Sequence, residues 1–234
     1  MNGKRAALAL VAASVLLGGC DWPRDAAGTL NDVRGGTLRV GVTDNPPWVV
    51  LQDDAPAGAE VRLVEALADD LDADIVWVEG ADADLMEALH GRSLHLVIGG
   101  FDAAAPWAKQ ASLTRPYITT HSVVAVPTGT LVPSTLEGLE VTVELGSFEE
   151  AYVRSHGGRP RLVSEVDSAD GPVIVDDWRL DELGLDASEM KITTTEHVVA
   201  VPLGESGWQS HVERFLLELP QTQIRELLAQ EPPS

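Results

Sequence analysis

Only one cysteine, Cys20, occurs in the 234 residues. A lone thiol forms no intrachain disulfide, so the fold must stand on its apolar core alone. Positive charge is also scarce: Lys and Arg number 16 against 37 Asp and Glu, a formal charge of −21. There is no basic stripe, and so acidic a surface argues against nucleic acid as a partner. Long apolar runs are missing beyond residue 20, so no transmembrane helix is expected downstream of it. The six histidines, His90, His95, His121, His156, His197 and His211, are scattered without metal-ligand spacing. Leu145-Gly146-Ser147 lacks the lysine of a phosphate-binding loop, and Ser147 has no base in view. With no nucleophile–base pair to read, the expectation is a binding protein without metal or cofactor rather than an enzyme.

What is present starts with 44% apolar residues, enough to bury a core in one large domain or two small lobes. Lys4 and Arg5 precede an apolar run at residues 6–17, too short to span a bilayer as a stable anchor. Leu17-Gly18-Gly19-Cys20 closes that run and resembles the lipobox of bacterial lipoproteins. In that pattern small residues admit the signal peptidase and the thiol takes a diacylglyceryl group. The resemblance implies a signal peptide over residues 1–20, lipid attachment at Cys20, and a body held at the extracytoplasmic face of a membrane by its acyl chains. Residues 21–36 are polar and rich in Gly and Ala, and read as a linker.

Residues 37–42 alternate and then stop at Asp44-Asn45-Pro46-Pro47-Trp48, a buried strand running into a proline-stiffened loop. Val61, Val64, Leu67, Ala68 and Leu71 follow at helical spacing. A strand at 75–78, a helix at 82–90 and a strand at 94–98 complete a β-α-β-α-β order, which calls for parallel strands with crossover helices. Ligands of such sheets bind beyond the carboxyl ends of the strands, here the loops at 44–48 and 99–107. The second half repeats this grammar on a smaller scale, with strands at 141–144, 161–166 and 172–175 and a helix ending near Ser155. Two amphipathic helices, 207–219 and 221–230, close the chain. The segment Val-Val-Ala-Val-Pro occurs twice, at 123–127 and 198–202. Two such strands leaving and re-entering one lobe make a double hinge. The expected fold is therefore α/β, a two-lobed clamshell. One lobe holds residues 37–125 with 203–234, and a smaller one holds 126–202.

These residues together resemble the family 3 extracellular solute-binding proteins, with the type II periplasmic-binding fold. The resemblance rests on the strand Leu38-Arg39-Val40-Gly41-Val42, the loop Pro46-Pro47-Trp48, Gly58 with its helix, and Pro116-Tyr117. In the second lobe Ser147 and Phe148 stand where the family has a Thr-Thr turn, and Asp176 ends a strand as the family's ammonium-binding Asp does. The family's carboxylate-clamping Arg falls on Trp107, its helping hydroxyl on Asp102, and its stacking aromatic near Asn45.

The resemblance implies a ligand site built from Asn45, Trp48, Gly99, Gly100, Asp102, Trp107, Ser147, Phe148 and Asp176. Asp102 repels a ligand carboxylate and Trp107 offers no compensating charge. Either Lys109 or Arg115 supplies the missing cation, or the lobe-one anion site is absent and acids with indoles suit a cationic amine. The implied function is capture of a small polar solute, amino-acid-like or a cationic amine. An import permease or membrane sensor would read the closed, monomeric form. Two alternatives use the same fold: a scaffold that has lost its ligand, and a cyclohexadienyl dehydratase-like enzyme, against which the missing Arg speaks.

Overall fold

The structure, a computed structural model, describes residues 24–166 and 169–230. The signal peptide and lipid-bearing Cys20 expected from the sequence lie outside the described residues. Residues 24–36, expected to be a linker, are instead folded onto the first lobe. Within them α1 (Thr29–Val33) buries Val33 completely. The Asp25 carboxylate accepts the N–H of Leu30 at 3.0 Å and of Trp208 at 2.8 Å. The buried Glu205 carboxylate accepts from Ala27 at 2.8 Å and Thr29 at 3.2 Å. The partners of this polar segment lie some 180 positions away, so no local window of composition could show them.

In the first lobe, β1 (Thr37–Val42) runs parallel to β2 (Asp74–Glu79) on one side and to β3 (Leu96–Asp102) on the other. The crossovers are α2 (Ala59–Leu71) and α3 (Asp82–His90), with the bounds their apolar periodicity predicts. Val61, Val64, Leu67, Ala68 and Leu71 are buried on one stripe of α2, packed with Leu38, Val40 and Ile98. The short β4 (Ala111–Leu113) joins this lobe's edge.

Two strands run between the lobes. β5 (Ile118–Pro127) carries the chain out; after a loop come β6 (Glu140–Glu144), α4 (Phe148–Ser155), β7 (Arg159–Val163) and β8 (Val173–Asp176). A 3-10 turn at Asp177–Arg179 and the four-residue α5 (Leu180–Leu183) follow. β9 (Leu185–Pro202) then returns the chain. The single nine-stranded sheet runs β2-β1-β3-β9-β5-β8-β6-β7, with β4 beside β9. β6 is parallel to both β7 and β8, so the second lobe repeats the parallel arrangement of the first.

The repeated Val-Val-Ala-Val-Pro strands do not occupy equivalent places. Val124 packs with Val141, Val143 and Ile174 in the second lobe. Val199 and Val201 pack with Leu96 and Ile98 in the first. Ile118 also belongs to the first core, so the change of core on β5 falls between Ile118 and Val124, before the 125/126 boundary read from the repeat. The physical reason is direction: β5 and β9 pair antiparallel from Ile118↔His197 to Pro127↔Leu185, so like sequences enter opposite lobes.

The closing helices are α6 (Ser206–Glu218) and α7 (Gln221–Gln230). From α7, Arg225 donates to both Asp177 carboxylate oxygens, at 3.0 and 3.3 Å, and to the Thr119 carbonyl at 3.1 Å. Trp178 beside it is buried in the first lobe's core. The 3-10 turn thus fastens the end of β8 to the first lobe.

Candidate functional site

The sheet ends decide where a site can form. Towards the carboxyl end of β3 the pairing with β9 shifts register between Val97 and Phe101, and Gly99-Gly100 makes that bulge. Gly100 holds φ +67°, and a Cβ there would lie 2.5 Å from Trp48 Cδ1 and 2.7 Å from Asn45 Nδ2. Glu60, in the first turn of α2, sits beneath the bend. Its Oε2 accepts both the Gly99 N–H (2.7 Å) and the Gly100 N–H (2.8 Å), and its Oε1 accepts the Tyr117 hydroxyl (2.6 Å). Burial pushes the Glu60 carboxyl up from its ordinary pKa, against the pull of those three donors. Asn45 closes the bend from above, its Nδ2 donating to the Gly99 carbonyl at 2.8 Å. Gly100→Ala combines left-handed strain with a clash into a buried indole, and should lower stability by about 3 kcal/mol in urea titration.

Around this bend lies a cavity of about 440 Å3 that brings together five of the expected residues: Asn45, Gly99, Gly100, Asp102 and Trp107. Two acids that sequence reasoning missed, Asp44 and Asp82, line it as well. No Lys or Arg does. Arg115 turns to α6, where its backbone N–H and its Nε donate to Glu213, each at 3.0 Å. Lys109 is exposed and lines none of the described cavities. Neither cation lines the cavity beside Trp107. Asp102 accepts the N–H of Ala104 at 2.8 Å, which fixes the turn leading to Trp107.

On the second lobe the carboxyl ends of β6 and β8 face the loop after β1. A cavity of about 380 Å3 spans the two lobes, lined by Pro46 and Pro47 from the first and by Glu144, Glu165, Asp176, Trp178 and Arg179 from the second. A smaller one, about 100 Å3, adjoins it and holds Ser122, Ser147 and Glu149 with Glu144, Asp176 and Arg179. The expected Ser147 and Asp176 therefore meet. Ser147 also caps α4, accepting the Glu150 N–H at 3.4 Å. Ser122 donates to Glu149 at 3.0 Å. The Asp176 carboxyl reaches solvent at the cavity mouth yet is walled by protein. That burial, with Glu149, Asp177 and Glu144 nearby and Arg179 opposing, pushes its pKa up to about 6. The Arg179 side chain is only 7% exposed; its Nε makes no hydrogen bond but lies 3.7 Å from Glu182 Oε2. It is the one cation lining these three cavities.

Two expected ligand residues are elsewhere. Trp48 lines none of the cavities. It is buried with its ring stacked 3.8 Å from His197 and edge-on to Tyr117 at 6.5 Å, lying against Gly100 where the absence of a Cβ leaves room for it. Phe148 is 63% exposed and packs only on Tyr152, since the first turn of α4 leaves it on the outer side of the helix. His197, read from the sequence only as one of six scattered histidines, hydrogen-bonds Thr120 Oγ1 (2.9 Å), and burial lowers its pKa to about 4, so the ring under Trp48 is neutral.

Two lobes joined by paired strands, each offering the carboxyl ends of parallel strands to a shared cleft, define a solute-binding architecture. The profile of the bacterial extracellular solute-binding proteins, family 3, matches residues 38–230, and the chain belongs to that family. It is similar to an ABC transporter arginine-binding protein 1 of Escherichia coli (27% identity over 46% of this chain and 44% of that one). It is also similar to a probable histidine-binding protein of Campylobacter jejuni (26% identity over 49% of this chain and 46% of that one). The alignments thus span a little under half the length of these curated relatives. Among solved structures, the L-cystine solute receptor of Neisseria gonorrhoeae in its unliganded open form superposes with a TM-score of 0.67. It shares 14% identity over 87% of this chain and 98% of that one. An ancestral cationic amino acid solute-binding protein gives 0.66, with 19% identity over 86% and 98%. These likenesses confirm the two-lobed fold.

Proposed function

We propose that the chain is an exported, lipid-anchored receptor that closes on a small cationic solute, an amino acid with a basic side chain or a simple amine. The observation carrying this reading is the charge lining the cleft. Asp44, Asp82 and Asp102 line the first-lobe cavity without a cation, while Glu144, Glu149 and Asp176 line the second-lobe cavities around a single Arg179. A desolvated anion meets repulsion on the first-lobe face, whereas a cation meets partners on both. In the family the second-lobe Asp takes the ligand's ammonium, and Asp176 fills that role here. Arg179 is then the group left for a ligand carboxylate. The arginine- and histidine-binding relatives support a basic amino acid.

Because the ligand touches both lobes at once, it favours the closed form, which a permease of the ABC type or a membrane sensor would read. Thermal unfolding against a panel of solutes tests the reading. Arginine, lysine, histidine, a polyamine and a betaine should include a compound raising Tm by several degrees at about a hundredfold excess over Kd. Glutamate and succinate should not. Stabilisation by the acids alone would overturn the cationic reading, and indifference to every compound would favour a scaffold.

A further inference from the structure

The molecule carries a second polar cavity, and its charge runs against that of the chain. It lies between α1 and α6, has a volume of about 810 Å3, and is lined by Arg24, Arg34, Arg214 and His211 with a single acid, Asp25. Three of the 16 basic residues thus meet in one place on a protein of net charge −21. One acid, Asp25, stands against three arginines there, and its two carboxylate oxygens accept the backbone N–H groups of Leu30 and Trp208. All three arginines are exposed. Among the described residues neither Arg34 nor Arg214 forms an ion pair with a carboxylate. Arg214 instead lies 3.0 Å from His211 Nδ1, while Asp70 sits 3.4 Å from that ring's Nε2. Burial, with the Arg214 and Arg34 guanidiniums adding to it, holds the imidazole below its ordinary pKa, with Asp70 opposing. Two exposed arginines without a carboxylate partner among the described residues, lining one cavity, suit an anion.

We infer that this arginine-lined cavity is a docking site for the phosphate headgroups of the membrane to which the chain is tethered. The inference rests on reading Cys20 as the lipid-bearing residue. Three observations choose this occupant. First, the cavity's own Arg24 is four residues after Cys20, so the chain holds it within about 14 Å of the acyl anchor. A tether of that length lets the cavity reach the surface itself, where headgroups within a Debye length of about 8–10 Å attract basic side chains. Second, the body is otherwise acidic, so an anionic surface repels every other approach and orients the protein with this face down. Third, the cavity shares no residue with those of the cleft, so docking leaves the cleft free to take solute.

The experiment uses the full chain purified from a bacterium that lipidates it, placed on phosphatidylcholine vesicles with and without phosphatidylglycerol. Mass spectrometry of the amino-terminal peptide reports whether Cys20 is acylated, which tests the anchor separately. Should it prove unmodified, the chain's only thiol can be coupled to a maleimide-bearing lipid so that docking is still measured. Amide hydrogen exchange in residues 24–36 and 206–214 should slow by about fivefold or more on the phosphatidylglycerol vesicles, and salt should reverse this. The double variant Arg34→Glu/Arg214→Glu should lose the protection while floating equally well and unfolding at an unchanged temperature. Equal exchange on both vesicle compositions would overturn the proposal. So would equal protection by inorganic phosphate without vesicles, which would make the cavity a site for a soluble anion.

Discussion

Replacing Glu60 by alanine should lower the unfolding temperature by about 10 °C. The carboxylate accepts from Gly99, Gly100 and Tyr117 while fully buried, so its removal orphans three donors in a dry site. Each orphaned donor costs about 1–3 kcal/mol, and recovery of Glu60's own desolvation offsets part of that. A net loss of about 4 kcal/mol corresponds to that shift for a chain of this size. Glu60→Gln keeps the shape but turns an amide N–H₂ toward donors, and should fall roughly midway. The pH dependence separates shape from charge. The folded-state pKa of Glu60 is raised, so the folded protein holds this proton more tightly than the unfolded chain does. Glu60 therefore contributes stability at low pH that is lost as pH rises from the ordinary glutamate range through the raised value. Glu60→Gln should flatten that decline, seen in urea titrations run across the range. A decline of unchanged slope in Glu60→Gln would show that Glu60 does not carry it.

The same residue explains how far the fold could be read in advance. α2 and α3 announce themselves by apolar residues at helical spacing, and their observed bounds match. The parallel first-lobe sheet follows from the order of elements. By contrast β9 is eighteen residues long, and the repeated Val-Val-Ala-Val-Pro marked only its end, 198–202, as strand. Its first part, around Asp186, Ala187, Ser188 and Glu189, has the composition of a helix end. It is extended because β5 pairs with it, as at Ala125↔Ala187, and long-range pairing overrides local preference. Residues 24–36 misled in the opposite sense, since Gly and Ala read as slack where Asp25 and Glu205 in fact bind them.

For the cleft, counting from Pro116-Tyr117 was enough to place Asp102 and Trp107 in one cavity with Asn45, Gly99 and Gly100. Counting could not tell that Lys109 and Arg115 face elsewhere, because a side chain's direction depends on partners such as Glu213. Glu144, Glu149 and Arg179 were missed for a related reason. One ends a strand, one stands in the first turn of a helix and one in a 3-10 turn, and only the fold makes them neighbours. An acid just before Gly146-Ser147 was the one signal available for Glu144. Trp48 was placed on the right loop, but its ring is buried there rather than lining a cavity. Aromatic content marks a site only when the ring is free, and this ring is spent on Gly100 and His197.

Asp176 ties the cleft's electrostatics to a result with an unusual sign. In the ligand-free protein its carboxyl titrates near pH 6, first because protein surrounds it and then because Glu149, Asp177 and Glu144 stand close. A raised acid pKa means that the folded state gains protons relative to the unfolded chain between about pH 6 and the ordinary aspartate range. The ligand-free protein is therefore relatively stabilised by Asp176 as pH falls through that window, and relatively destabilised as pH rises through it. A cationic ligand needs the ionised form, so its affinity must run the other way, strong above pH 6 and weakening below. Calorimetric titration with the best cation from the solute panel should show Kd rising about tenfold per pH unit once below pH 6. Asp176→Asn should weaken binding by about 10–100-fold at pH 7.5, the loss of one charged partner, and should flatten both pH profiles together. Opposite slopes for stability and affinity, both removed by one substitution, are a signature that general acid damage does not produce. Parallel slopes would place the ligand's cation on a different carboxylate.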